Sequence, residues 1–306
     1  MIWILLIIIL VLALEIVFIS REIKNITDDM DGIIDGNLNQ RVRVKTHNRT
    51  VRNLVVNTNH LIDEFQRMVF LNKTYEEDRK KMISNISHDF RTPLTSMLGY
   101  IEMLKNDNGL SEQTRLEYIE IINIKGEILR NLIEEFFTLS KIDSNDVVFD
   151  FKKVNVTEVM RQTILSYLKD FKTNNIAPIL EIPENDIYIQ ADDKALNRIL
   201  QNIISNSLKY GTEGQEIGVS LKDMGEYINI EIWDRGKGIP EEDIRYIFDR
   251  SYTVEKSRNS KLQGSGLGLT IVKKLIEKHS GSIEVFSKPY EKTTFKITLP
   301  KKLRNM

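Results

Sequence analysis

From Ile2 to Ile19 every position is apolar except Glu15. A helix needs about 20 such residues to cross a bilayer core, and no fewer than about 17. A cleaved leader would carry a basic start and a small-residue cleavage site, and neither is present. The pattern therefore predicts an uncleaved transmembrane helix over residues 1–20, with 2–19 in lipid. Arg21 and Lys24 follow at once and place the C-terminal side in the cytoplasm. On this reading no extracellular sensor domain belongs to the chain. Glu15 is an ionisable group within the span, where such groups are costly. It is either a contact for a sensing partner in the membrane or a side chain that snorkels to the interface.

The apolar period then changes. Ile23, Ile26, Met30 and Ile33, and later Leu54, Thr58, Leu61, Phe65 and Met68, alternate three and four apart, as in a coiled-coil seam. Between them Asp35-Gly36-Asn37 signals a turn, and residues 40–44 read as extended. Residues 21–72 are thus two helices around a connector. This resembles the HAMP relay module, although His47-Asn48-Arg49 stands where such modules carry an acidic pair. A plain coiled-coil spacer has the same pattern.

Residues 73–143 predict a helical hairpin. Its first helix carries Ile83, Ile86, Phe90, Leu94, Met97, Ile101 and Leu104, and Asn106 to Gly109 break it. Ser111 is placed to cap a second helix bearing Ile119, Ile122, Leu129, Ile133 and Phe136. Two such stripes want a second copy, which gives a dimeric four-helix bundle. Beyond about residue 145, strand candidates at 187–189, 227–233 and 294–299 are mixed with helical runs at 157–170, 192–209 and 267–279, mostly without strict βαβ alternation. That mixture predicts an α/β sandwich over 144–301 and makes the whole chain an α+β multidomain protein.

Composition narrows the chemistry. Cysteine is absent, which excludes disulfides and thiolate catalysis, and the four histidines are too scattered for a zinc site. The net charge of −1 gives no general pull toward nucleic acid.

Four stretches carry candidate chemistry. In Ser87 to Leu94, His88 falls opposite the Ile83/Phe90/Leu94 stripe, since a helix turns about 100° per residue. Asp89 can hold one ring nitrogen and leave the other nucleophilic. Thr92 shares the exposed face, and Pro93 should bend the helix. In Asn202 to Tyr210, Asn202 and Asn206 share a helix face with Lys209, a set suited to Mg²⁺ and a triphosphate. Asp234-Arg235-Gly236-Lys237-Gly238 follows a strand, where a carboxylate can accept from an exocyclic amine such as that of adenine. Gly264-Ser265-Gly266-Leu267-Gly268 leads into a helix, a phosphate cradle. The polar stretch Thr253 to Gln263 before it reads as a lid.

In order and spacing these stretches resemble the H, N, G1 and G2 boxes of bacterial two-component sensor histidine kinases. Phe248-Asp249-Arg250 is similar to the family's F box. The resemblance implies a phosphoacceptor hairpin followed by an ATP-binding sandwich of the gyrase/Hsp90 type. It implies autophosphorylation of His88, with Asp89 orienting it, and transfer to a response-regulator aspartate. Asp89 followed by Thr92 fits the family's phosphatase pattern. By matching position, Asn202 and Asn206 hold Mg²⁺, and ATP is bound by Lys209, Tyr210, Asp234, Gly236, Gly238, Gly264, Gly266, Leu267 and Gly268. The expected partners are a second copy, a cognate regulator and a bacterial cell membrane crossed once. A different ATPase of the gyrase/Hsp90 type leaves the His88 helix unexplained. A regulator-binding scaffold without activity would be expected to have lost His88, Asn202 or Asp234.

Overall fold

The computed structural model describes residues 2–46, 48–106, 109–144, 146–250, 252 and 266–302. The chain divides into two compact units, residues 1–81 and 82–306.

In the first unit α1 (Ile2–Ile34) is one unbroken helix. Its apolar N-terminal part is long enough to cross a membrane. The predicted anchor and the first linker helix are thus a single element, because no Gly or Pro interrupts residues 19–31. Gly36, at a φ of 107°, ends it. Among the described residues of the connector, 37–46 and 48, none pairs with a strand. Side chains of the following helix, α2 (Arg49–Asn106), satisfy its backbone instead. Asn59 accepts from the Val42 N–H and donates to the Val42 carbonyl, both at 3.0 Å. Arg41 reaches Asp63 at 2.6 Å and Gln66 at 2.7 Å, and Gln66 donates to the Leu38 carbonyl. A small core of Ile26, Val42, Val55 and Ile62 lies beneath. The face that carries Leu54, Leu61, Phe65 and Met68 is exposed.

The second unit begins within α2, which continues without a break through residues 70–82 into the hairpin. The predicted boundary at 72 is therefore not a helix end. Pro93 lies inside α2 and is buried. Ser111 caps α3 (Glu112–Asp143) by accepting from the Thr114 N–H at 3.1 Å. The hairpin is pinned by Phe90 against Phe136, edge to face at 6.3 Å, and by Tyr100 against Tyr118 at 5.1 Å. Much of the predicted stripe nevertheless faces outward: Ile83, Leu94, Ile101 and Ile119 are exposed.

The sandwich opens with β1 (Lys152–Asn155), α4 (Val156–Ser166), α5 (Leu168–Thr173), β2 (Ala177–Glu181) and β3 (Tyr188–Ala191). There follow α6 (Asp193–Tyr210), β4 (Glu216–Asp223), β5 (Tyr227–Asp234) and α7 (Glu241–Ile244). The last elements are α8 (Gly268–Lys278), β6 (Ser282–Lys288) and β7 (Lys292–Pro300). Five strands form one sheet in the order β2-β4-β5-β7-β6, parallel only between β2 and β4; β1 and β3 pair separately. In β5 and β7 alternate residues are buried, from Ile228 to Ile232 and from Phe295 to Leu299. That face meets the apolar side of α6, which buries Leu196, Ile199, Leu200, Ile203 and Ile204, and α8, which buries Ile271, Val272, Leu275 and Ile276. Helices on one face of a mixed sheet give the α+β sandwich that the pattern predicts. His279 closes its base. Its Nδ1 lies 2.7 Å from the Leu275 carbonyl, and its Nε2 accepts from the Asp192 N–H at 3.0 Å. Phe149 and Phe151 pack edge-on to the ring.

Candidate active site

Two places carry the candidate residues. The first is α2 around His88. The His88 side chain is 45% exposed, on the face predicted for it. Nδ1 lies 3.4 Å from Asp89 Oδ1. In the tautomer that puts the proton on Nδ1, the lone pair of this half-exposed ring sits on Nε2. Thr92 is exposed, and its hydroxyl donates to the His88 carbonyl at 3.2 Å. That local bond lies beside Pro93, which has no N–H to offer the turn before it.

The second is a cavity of about 290 Å³ between α6, the end of β5 and the start of α8. Burying its apolar stripe turns the opposite edge of α6 into this cavity, so Asn202, Asn206, Lys209 and Tyr210 all line it. Asn202 Nδ2 donates to the Arg198 carbonyl at 2.8 Å, which leaves its amide oxygen available as a ligand. That oxygen points at the N-terminal turn of α8. A Cβ built on Gly268 would lie 2.7 Å from it, so the glycine permits the approach.

Asp234 ends β5 with its carboxylate almost fully buried at 4% exposure, and it accepts the Gly236 N–H at 3.0 Å. Burial raises its pKa above the ordinary 3.8, while the Gly236 N–H and the adjacent Ser207 hydroxyl pull it back. Ser207 Oγ acts by proximity, since it completes no hydrogen bond of good geometry. A buried, poorly paired carboxylate beside a cavity is well placed to accept from a ligand N–H. The turn after it passes so close to the end of α6 that a side chain on Gly236 would strike the Tyr210 carbonyl. Ile239, Ile247, Leu269 and Phe295 supply apolar walls for a flat ring.

Of the predicted ATP residues, Asn202, Asn206, Lys209, Tyr210, Asp234, Gly238, Gly266 and Gly268 line one cavity. Gly236 shapes it from behind, and Leu267 is buried beneath it. Gly264 and the predicted lid Thr253 to Gln263 lie outside the described residues. The sequence reading missed Glu135, Thr293 and Tyr252, which also line the cavity. Tyr252 donates to the Asp243 carboxylate, a bond that pushes its phenol up to about 12. Its position just after the F-box residues was the available signal. Glu135 gave none, being one acid among several on α3. Among the described residues no cluster of His, Asp and Glu could hold a metal.

Comparison with known proteins finds a family match over each region. Residues 78–145 match the His Kinase A (phospho-acceptor) domain. Residues 191–303 match the histidine kinase-, DNA gyrase B- and HSP90-like ATPases. Sensor histidine kinase YcbM of Bacillus subtilis is 40% identical over 259 residues, 85% of this chain and 83% of that one. Sensor histidine kinase WalK of the same organism is 33% identical over 74% of this chain but only 37% of its own greater length. Histidine kinase ThkA, solved in complex with response regulator protein TrrA, shares the fold with a TM-score of 0.56 at 24% identity, covering 74% of this chain and 66% of that one. The two domain matches and this degree of likeness together place the chain among the sensor histidine kinases, the ATP-dependent enzymes of two-component systems.

Proposed function

We propose that this kinase is anchored by residues 2–19, works as a dimer, and phosphorylates His88 from Mg²⁺–ATP before passing the phosphoryl group to an aspartate of its response regulator. The observation that carries the reading is the pairing of an outward-facing His88, held at Nδ1 by Asp89, with a single cavity that collects the candidate nucleotide residues.

Adenine lies between the apolar walls, and its exocyclic amine donates to Asp234. The triphosphate runs toward Lys209 and the N-terminus of α8. The amide oxygens of Asn202 and Asn206 are hard, neutral donors that fit Mg²⁺, which takes few protein ligands. Bound there, the ion supplies charge neutralisation on the phosphate oxygens. In the transfer step the Nε2 lone pair of His88 attacks the γ-phosphorus. The Nε2–P bond forms, the bond to the ADP oxygen breaks, and ADP leaves. Positive charge that develops on the ring is balanced by Asp89 at Nδ1.

Dimerisation is supported by the apolar residues the hairpin leaves uncovered, among them Leu94, Leu98, Ile101, Leu116 and Ile119. The exposed Leu54, Leu61, Phe65 and Met68 face supports a relay that pairs with a second copy in the manner of a HAMP module. A regulator is supported by the ThkA–TrrA complex, since this chain shares the ThkA fold. Thr92 serves the reverse reaction by orienting a water toward the regulator's phosphoaspartate, once its hydroxyl swings away from the His88 carbonyl. The experiment is phosphotransfer profiling. Labelled full-length kinase in nanodiscs is mixed with a panel of receiver domains. Loss of label from the kinase should match its rapid gain on one receiver. Label that stays on the kinase with every receiver would reject the relay.

A further inference from the structure

The connector between α1 and α2 folds back toward the apolar run. It leaves the end of α1 at Gly36 and returns along that helix, where the Arg43 N–H donates to Asp29 at 3.1 Å. It runs against α2 as well, since Val42 bonds Asn59, Arg41 reaches Asp63 and Leu38 accepts from Gln66. The two helices therefore point the same way, with Asn59 level with Asp29. Counting back equally along both, Arg49 is level with Ile19, the last residue of the apolar run, and Arg52 with Glu22.

A belt of cations results. Arg21, Lys24, Lys45, Arg49 and Arg52 stand at this end of the unit, and all five are exposed. Among the described residues none of them forms an ion pair, whereas Arg41, further from the apolar run, pairs with Asp63. Arg52 donates to the Thr46 carbonyl at 3.2 Å, a bond that leaves its charge unmatched. The carboxylate at this level, Glu22, is buried at 6% exposure. Asp28, Asp29, Asp31 and Asp35 lie further along α1, and from Gly36 to Ile62 the sequence has no acid. The unit is thus polarised along its length. The start of α2 gains nothing locally from this, because a helix favours acids in its first turn and α2 has none there. Membrane orientation accounts for Arg21 and Lys24, but that rule counts residues within about 15–20 of the span. Lys45, Arg49 and Arg52 lie beyond it in sequence, and only the fold brings them back.

We propose that this belt docks on the anionic phospholipid headgroups of the leaflet from which α1 emerges. The inference rests on the reading of residues 2–19 as a membrane anchor. Attraction between the belt and a charged surface reaches across a Debye length, about 10 Å at 0.1 M salt. Each Lys or Arg held within that range strengthens it by about fivefold. Three of the five are Arg, whose planar fork takes two phosphate oxygens at once.

The chain has no cysteine, so a single one can carry a probe. Thr50→Cys, at an exposed position in the belt, takes a fluorophore on the full chain in nanodiscs. A lipid bearing a nitroxide on its headgroup quenches a probe that meets the surface. Discs of phosphatidylcholine are compared with discs of equal parts phosphatidylcholine and phosphatidylglycerol, each with the same trace of quencher. At low salt, quenching should be about twofold or more stronger in the anionic discs. In about 1 M KCl, where the Debye length falls to about 3 Å, the difference should vanish. Lys45→Gln, Arg49→Gln and Arg52→Gln together should remove it at low salt. Equal quenching in the two lipids overturns the proposal, and so does a difference that survives the salt or the three substitutions. The salt arm needs none of those substitutions, so the test stands even if that variant fails to fold. A second probe on Val11→Cys, read against nitroxides on the acyl chains, separates the two readings. If Val11 is quenched while Thr50 is indifferent to lipid charge, the docking alone fails. If Val11 is quenched in neither lipid, the anchor fails and the docking with it.

Discussion

Replacing Gly268 by alanine should separate the stability of the ATP domain from its ability to bind nucleotide. The new Cβ would lie 2.7 Å from Asn202 Oδ1 and 3.7 Å from Asn202 Cγ, with no backbone atom near it. Real Cβ contacts are longer, so the amide must swing away. Only the end of a flexible side chain moves, and the fold can absorb that. The swing breaks the Nδ2 bond to the Arg198 carbonyl, worth roughly 0.5–1.5 kcal/mol. Against this, Ala is better than Gly in a helix by up to about 1 kcal/mol. The two nearly cancel, so thermal stability should stay close to wild type. Nucleotide binding has no such offset. The variant misplaces a proposed cation ligand, and such disturbances typically cost about 10–100-fold in affinity. Calorimetric titration with Mg²⁺–ADP, beside a thermal melt of the same preparation, reads both quantities. Wild-type affinity with wild-type stability would refute the ligand role of the Asn202 oxygen. Loss of both together would mean that the substitution damages the fold.

Three further outcomes follow from the geometry. Asp234 has a raised pKa because it is buried, so the folded state holds more protons than the unfolded state between 3.8 and that raised value. Through that window the free protein loses stability as pH rises. Asp234→Asn should therefore raise the melting temperature of the free protein at neutral pH and weaken ATP binding about tenfold, by removing a charge-assisted acceptor; a lower melting temperature would contradict this. His279 is buried and its pKa is lowered from 6.5, so the unfolded state holds more protons below 6.5. Its contribution is complete above 6.5 and declines as pH falls toward the lowered value. A melt series should show that decline and lose it in His279→Gln. Thr92→Ala should leave His88 labelling near wild type while slowing dephosphorylation of the regulator several-fold, and an equal loss of both would point to a damaged α2.

The sequence made the chemistry more legible than the packing. Asn202, Asn206 and Lys209 could be placed on one face because α6 has a strong apolar stripe to orient them. His88 could be turned outward by the same logic, and the structure leaves it 45% exposed. Strands without alternation were harder. In β4 the run Ile217 to Leu221 is buried throughout, so it shows no alternation to read. Edge strand β2 carries Pro178, which argues against a strand from sequence alone. In the linker, the predicted seam of Leu54, Leu61, Phe65 and Met68 is the exposed face of α2. The buried face includes Asn59 and Gln66, polar residues that serve the connector's backbone. Nothing local marks an amide for that task. Glu135 escaped for the same reason. On a helix it reads as a solvated charge, and only docking against the ATP domain makes it part of a cavity wall.

The central claim is that His88 receives the γ-phosphoryl group of ATP. Full-length protein in nanodiscs, incubated with γ-labelled ATP and Mg²⁺, should acquire one acid-labile, base-stable label per active site. Peptide mapping at alkaline pH should place that label on His88. In His88→Gln the label should vanish while Mg²⁺–ADP binding, for which the cavity of Asn202 and Asp234 is the proposed site, stays at the wild-type level. Label retained in that variant, or mapped to any other residue, would contradict the account.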